Sequence, residues 1–233
     1  MKEIIQIRNL SKSYGHKVVL NGIDLYLEEN QIIGLLGPNG CGKTTLIKTM
    51  TGLIKDYEGH VFIDGEEPGV HTKSVIAYLP EKSYLPDWMR PKDAIKYFSD
   101  FYADFDSAKA EQMVKDFGLD MKQKIKTMSK GQQEKISLIL VMCRRAKLYI
   151  LDEPLGGVDP AAREAILDLI LKNYTENATV LMSTHLIHDI EPVLDRALMI
   201  SKGKLVLNAD VKQLKEEGKT VEDIFKEVFA YAW

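Results

Sequence analysis

A short, largely apolar run at 31–36, Gln-Ile-Ile-Gly-Leu-Leu, leads directly into Gly37-Pro38-Asn39-Gly40-Cys41-Gly42-Lys43-Thr44, and a helical pattern follows from Lys43 to about Leu53. This succession constrains the fold more than any other feature. The run reads as a strand buried on both faces. The glycines let the backbone curl so that successive N–H groups face phosphate oxygens, and the following helix adds the positive end of its dipole. In the pattern G-x-x-x-x-G-K-[ST], the lysine reaches β- and γ-phosphates and the hydroxyl ligates Mg²⁺. Here those residues are Lys43 and Thr44.

A second apolar strand, Leu148-Tyr149-Ile150-Leu151, ends in Asp152 and Glu153. Beside a phosphate loop, a carboxylate delivered by a strand end can hold Mg²⁺, and the next one can polarise an attacking water. Alone, an Asp-Glu pair after a strand would be commonplace. The wider pattern gives strands at 3–9, 18–28, 31–36, 60–64 and 74–79. Strand signals vanish between about Ser83 and Ala146, where helical periodicity marks 92–103, 108–117 and 130–145. Strands return at 147–152, 178–183, 196–201 and 204–208, with a helix at 160–173. Strand, helix, strand in that order predicts right-handed βαβ units and a parallel sheet. The segment 211–233 is amphipathic and reads as short helices, with Thr220–Phe229 a packing helix.

The 233 residues suit one α/β domain with a modest insertion, or two small lobes. A net charge of −3 gives no overall basic field, so nucleic acid is not an expected partner, although a local patch stays open. The two cysteines, Cys41 in the phosphate loop and Cys143 on an apolar helical stretch, suit a reducing cytosol better than a disulfide. The N-terminus lacks the apolar core of a signal peptide, and no apolar run approaches the roughly 18 residues that span a bilayer. Work at a membrane would require spans from another chain.

One more motif, Met128-Ser129-Lys130-Gly131-Gln132, is a capping box that opens the helix at 130. Its free N–H groups and hydroxyl suit an anion. Taken alone it would be a plain helix cap. Placed some 20 residues before Asp152, it is similar to the L-S-G-G-Q signature of ABC transporter nucleotide-binding domains, and the order of motifs resembles that family over nearly the whole chain.

The resemblance implies an α/β fold with a P-loop NTPase core, a mainly parallel sheet, an N-terminal antiparallel β region and a helical subdomain. In one domain spanning 1–233, the core would take 1–82 and 147–210, the helical signature subdomain 83–146, and a short helical tail 211–233. It implies an ATPase using ATP and Mg²⁺, in which Tyr14 stacks on adenine and Gly37, Pro38, Asn39, Gly40, Cys41, Gly42, Lys43, Thr44 and Thr45 hold the nucleotide. Thr44, Asp152 and Glu81 would serve the metal; Glu153, His185 and Lys43 would be catalytic. Asp159 would communicate across a dimer, and Ser129, Lys130, Gly131 and Gln132 would complete the site of a second ATPase subunit, identical or not. His188 has no counterpart and reads as surface or packing.

Two residues depart from the family pattern. Glu81 stands where most members carry glutamine, and Lys130 where the signature has glycine, its side chain expected either outward or toward the partner's nucleotide. Both are similar to the bacitracin- and multidrug-resistance-like bacterial branch, which implies an exporter. The implied partner is a transmembrane permease, which would put the chain in the cytoplasm at the inner face of the membrane. The aromatic set Tyr84, Trp88, Tyr97, Phe98, Phe101, Tyr102 and Phe105 is expected to form the lobe's own core, with one or two rings left exposed near Trp88 for that permease. The alternative is a soluble ABC ATPase acting on DNA or ribosomes. A P-loop kinase or GTPase leaves the signature and His185 unexplained.

Overall fold

The computed structural model describes residues 2–230. Strands β1 (Glu3–Tyr14), β2 (Lys17–Glu28) and β4 (Glu58–Ile63) form an antiparallel sheet in the order β2-β1-β4. Strands β3 (Ile32–Leu36), β5 (Ile76–Leu79), β6 (Leu148–Asp152), β7 (Thr179–Thr184), β8 (Arg196–Ser201) and β9 (Lys204–Asp210) form a second sheet, ordered β5-β6-β7-β3-β8-β9. All its pairings are parallel except β8 with β9.

Every residue of β6 and β7 is buried, which explains why these strands read as continuous apolar runs. Alternate residues go to opposite sides. Leu148 and Ile150 join a core shared with β1, β2, β4 and helix α1 (Lys43–Met50), while Tyr149 and Leu151 join the core beneath the remaining helices. Parallel register puts Leu36 beside Thr184 and Asp152 beside Ser183. The loops leaving β3, β6 and β7 therefore emerge together at the carboxyl edge, where open α/β sheets bind ligands.

Between β5 and β6 the regular elements are helices α3 (Pro91–Phe101), α4 (Ser107–Asp116) and α5 (Lys130–Met142), with a 3₁₀ turn at Ile125–Thr127. Arg144 ties them to the sheet. Its Nε bonds both Asp104 oxygens at 2.8 and 2.9 Å, its two terminal nitrogens donate to the carbonyls of Ile76 and Ser74, and its guanidinium lies 3.8 Å from the Tyr102 ring centroid.

The structure shortens three expected segments. Helix α1 stops at Met50 because Gly52, at φ +70°, turns the chain and Leu53 N–H takes the Lys48 carbonyl at 2.9 Å. Helix α5 stops at Met142 because Asp106 N–H takes the Cys143 carbonyl and the Tyr149 hydroxyl that of Arg144. The strand expected from 74 is preceded by helix α2 (Val70–Val75), where Thr72 Oγ1 accepts from Gly69 N–H at 2.8 Å. Helix α6 (Pro160–Asn173) has the expected bounds. After α7 (Ile187–Ile190) and β9, the amphipathic segment forms α8 (Val211–Glu216) and α9 (Val221–Phe229), whose Val221 and Phe229 are buried; residues 231–233 of that expected tail lie outside the described residues.

The aromatic expectation needs correction. Phe98 is buried and Tyr102 and Phe105 are partly so, but Tyr84, Trp88, Tyr97 and Phe101 are all exposed, not one or two rings. Helix α3 is a single layer over α4 and α5, so only its inner face, with Ala94, Ile95 and Phe98, finds a core.

Candidate functional site

Only glycine fits where the phosphate loop turns. A β-carbon on Gly37 would lie 2.6 Å from the Ile200 carbonyl oxygen and from Cys41 Sγ; one on Gly42, at φ +116°, would lie 3.0 Å from the Val19 carbonyl oxygen. Gly42 is also the N-cap of α1 and brings no side-chain oxygen to the first turn. The N–H groups of that turn, which no helix satisfies internally, are left for an anionic ligand. Cys41 and Cys143 are both free and buried, and burial pushes both thiols up, Cys143 to about 12. Neither thiol is set up as a nucleophile.

Lys43, buried in the loop, donates to the Gly37 carbonyl at 2.8 Å and lies 3.3 Å from Glu153 Oε1. The other oxygen of Glu153 is 3.0 Å from His185 Nδ1. Glu153 adopts φ +51°, a left-handed conformation rare for a glutamate. Its N–H is held by the Ser183 hydroxyl at 3.0 Å and the Ser183 carbonyl at 3.1 Å. Strain of this kind persists where the surroundings over-determine it.

The Ser183 hydroxyl also donates to Asp152 Oδ1 at 2.6 Å, and Thr44 Oγ1 donates to the same oxygen at 3.4 Å. Ser183 thus holds the Asp152 carboxylate and the Glu153 backbone together, a role not assigned from the sequence; its one visible signal was a polar residue in an apolar strand, two before His185. Asp152 Oδ2 is buried with no hydrogen-bond partner among the described residues. Burial pushes the Asp152 carboxyl above its usual range, and Glu81 and Glu153 add to this against the Ser183 and Thr44 hydrogen bonds. A buried acceptor without a partner, beside a threonine hydroxyl and near Glu81, is an all-oxygen donor set of the kind that suits Mg²⁺ held together with phosphate oxygens. Among the described residues no group of three or more His, Cys, Asp or Glu forms a metal cage by itself.

The other predicted residues lie elsewhere. Tyr14 is the last residue of β1, exposed at the hairpin tip with Lys12 Nζ 5.0 Å from its ring centroid. Lys12 is held in turn by Asp56 at 2.9 Å. Ser129 is the N-cap of α5: its Oγ accepts from Gln132 N–H at 3.3 Å, and Gln132 Oε1 accepts from Ser129 N–H at 2.9 Å. Ser129 and Lys130 are exposed, and the side-chain hydrogen bonds of Ser129 and Gln132 among the described residues go to each other's backbone. Lys130 turns back along its own helix to Glu134 at 3.6 Å and lies over Gly157. Asp159 is the N-cap of α6, accepting from Ala161 N–H at 2.9 Å. Exposed His188 lies 3.9 Å from Glu222.

Residues 20–156, more than half of the chain, match the family model described as ABC transporter. The chain belongs to the ABC transporter family of ATP-binding proteins. Domains of this family hydrolyse ATP, and this chain is an ATPase. An uncharacterized ABC transporter ATP-binding protein of Methanocaldococcus jannaschii is 35% identical over 215 residues, covering 88% of this chain and 77% of that one. The SkfA peptide export ATP-binding protein SkfE of Bacillus subtilis is 28% identical over 96% of both chains. A solved structure titled as the ATP binding subunit of an ABC transporter superposes with a TM-score of 0.85 at 24% identity, over 96% of this chain and 98% of that one, which shows the shared ABC ATPase fold.

Proposed function

We propose that this ABC ATPase powers export, through ATP-driven closure of two ATPase subunits beneath a transmembrane permease. The observation that carries this reading is that the site is divided. Lys43, Thr44, Asp152, Glu153 and His185 converge at one sheet edge, while the Ser129 capping box opens to solvent on α5, whose packing neighbours are α3, α4, α6 and β5. A second subunit then supplies the missing helix terminus to the γ-phosphate, and ATP favours the closed pair because only ATP bridges both halves. Asp159 lies on the loop between the halves and communicates across the pair.

Glu153 is the general base in this reading. Lys43 lies 3.3 Å from its carboxylate and neutralises it. A triphosphate is a stronger anionic partner for that ammonium, so nucleotide binding draws Lys43 away and leaves Glu153 to take a proton from water. His185 keeps the carboxylate in place at 3.0 Å. Tyr14 stacks on the adenine, and residues 37–45 hold the phosphates. Thr44, Asp152 and Glu81 hold Mg²⁺, which when bound neutralises phosphate charge during transfer.

For the permease, a cleft of about 720 Å³ runs from Thr44 and Glu81 to the rings of Tyr84, Tyr97, Phe98 and Tyr102. Aromatic anchors of this kind carry binding energy in protein interfaces. Among the described residues no helix is long and apolar enough to cross a membrane. The printed name of the SkfE relative, an export protein, supports the direction.

The test is purification of the tagged chain from detergent-solubilised membranes. A multi-span protein should accompany the wild type and be lost when Tyr84 and Tyr97 are replaced by alanine. Recovery with ribosomes or DNA and never with membranes would replace this reading by the soluble alternative.

A further inference from the structure

Two buried polar atoms near the metal-binding carboxylate lack partners, and they are of opposite kind. Asp152 Oδ2 is an acceptor and the Tyr78 hydroxyl a donor; neither has a hydrogen-bond partner among the described residues. Leaving a buried polar group unsatisfied is destabilising. Two of them within one site point to a shared purpose.

The sheet places them together. Strands β5 and β6 pair in parallel with Tyr78 opposite Ile150, and Asp152 lies two residues further along β6. Period-two alternation puts Ile150 and Asp152 on one face, and Tyr78 packs on that face, against the cluster holding Ile76, Leu148 and Ile150. Tyr78, Thr44, Glu81 and Asp152 all line the same cleft. Toward a carboxylate, a tyrosine hydroxyl acts as the donor.

We propose that Tyr78 is a positioning residue of the metal site: its hydroxyl donates toward Asp152 Oδ2, directly or through one water, and fixes the orientation in which that oxygen serves Mg²⁺. The assignment rests on the proposed role of Asp152. Hydrogen-bond partners of metal ligands typically alter metal affinity by about 10–100-fold when removed. Tyrosine suits this position because its ring packs against the cluster that holds Ile150 and it carries a donor at the ring's far end.

The experiment titrates Mg²⁺ into the purified chain with a fluorescent ATP analogue, comparing wild type, Tyr78→Phe and Asp152→Asn. Phenylalanine keeps the ring, so the thermal midpoint of Tyr78→Phe should equal or exceed that of the wild type. Its analogue binding in EDTA should be unchanged, and its half-saturating Mg²⁺ concentration should rise about tenfold. An unchanged Mg²⁺ midpoint for Tyr78→Phe, with a raised one for Asp152→Asn, overturns the role of Tyr78 and leaves the metal site standing. Unchanged midpoints for both variants overturn the metal site and this assignment with it.

Discussion

His185 Nδ1 lies 3.0 Å from Glu153 Oε2, while Lys43 Nζ lies 3.3 Å from the other oxygen of the same carboxylate. The glutamate is held between a ring that can orient it and a cation that must leave it. Replacing His185 by alanine removes the orienting contact and spares the phosphate loop. We expect kcat to fall by about 10²-fold or more with nucleotide affinity changed little, read by single-turnover hydrolysis beside equilibrium binding. A fall in affinity without a fall in kcat would assign His185 to binding instead.

Asp152 is in an environment that disfavours its charge in the nucleotide-free chain. Its folded carboxyl is raised, so the cost is absent below the ordinary value of 3.8 and fully present once pH exceeds the folded value. Asparagine keeps an acceptor for Ser183 and removes the buried charge. Asp152→Asn should therefore stabilise the nucleotide-free chain by about 1 kcal/mol at neutral pH while lowering hydrolysis severely. Denaturant midpoints of both proteins at pH 4 and pH 7 measure this; the advantage should be larger at pH 7.

Asp64 titrates in the opposite sense. Burial raises its carboxyl, but hydrogen bonds from Lys147, at 2.7 Å, and from Lys2 outweigh this and hold it below 3.8. Its stabilising contribution is complete above pH 3.8 and is lost as pH falls through the lower folded value. Asp64→Asn should lower the thermal midpoint at pH 7, and the deficit should shrink below pH 3.8.

Glu81 lies near enough to Asp152 to raise its carboxyl, and it lines the cleft beside Thr44. Glu81→Gln removes one negative charge from a site that must accept a triphosphate. We expect tighter ATP binding and an altered Mg²⁺ dependence of hydrolysis. Identical Mg²⁺ curves for the two proteins would take Glu81 out of the metal site.

Much of this arrangement was legible in the chain. The run into Gly37, the strand ending in Asp152 and the Ser129–Gln132 box each carry a local physical reason, and each forms as read. Less legible were features set by neighbours distant in sequence. Ser183 reaches Asp152 across 31 positions because β6 and β7 pair in register. Helix α5 ends early because Asp106 N–H takes the Cys143 carbonyl from 37 positions away. The position of Lys130 over Gly157 depends on how α5 meets the loop before α6, which no local pattern encodes. The exposure of Tyr97 and Phe101 followed from the absence of a further layer over α3.

In the proposed closed pair, the phosphate loop is half of a site completed by the Ser129 helix terminus of another subunit. Analytical ultracentrifugation of Glu153→Gln tests this pairing, because a variant without the proposed base should bind ATP and not consume it. The account predicts a dimer with Mg·ATP, a monomer with ADP, and loss of the ATP dimer when Ser129→Arg is added. A dimer that forms equally with ADP, or that survives Ser129→Arg, would contradict it.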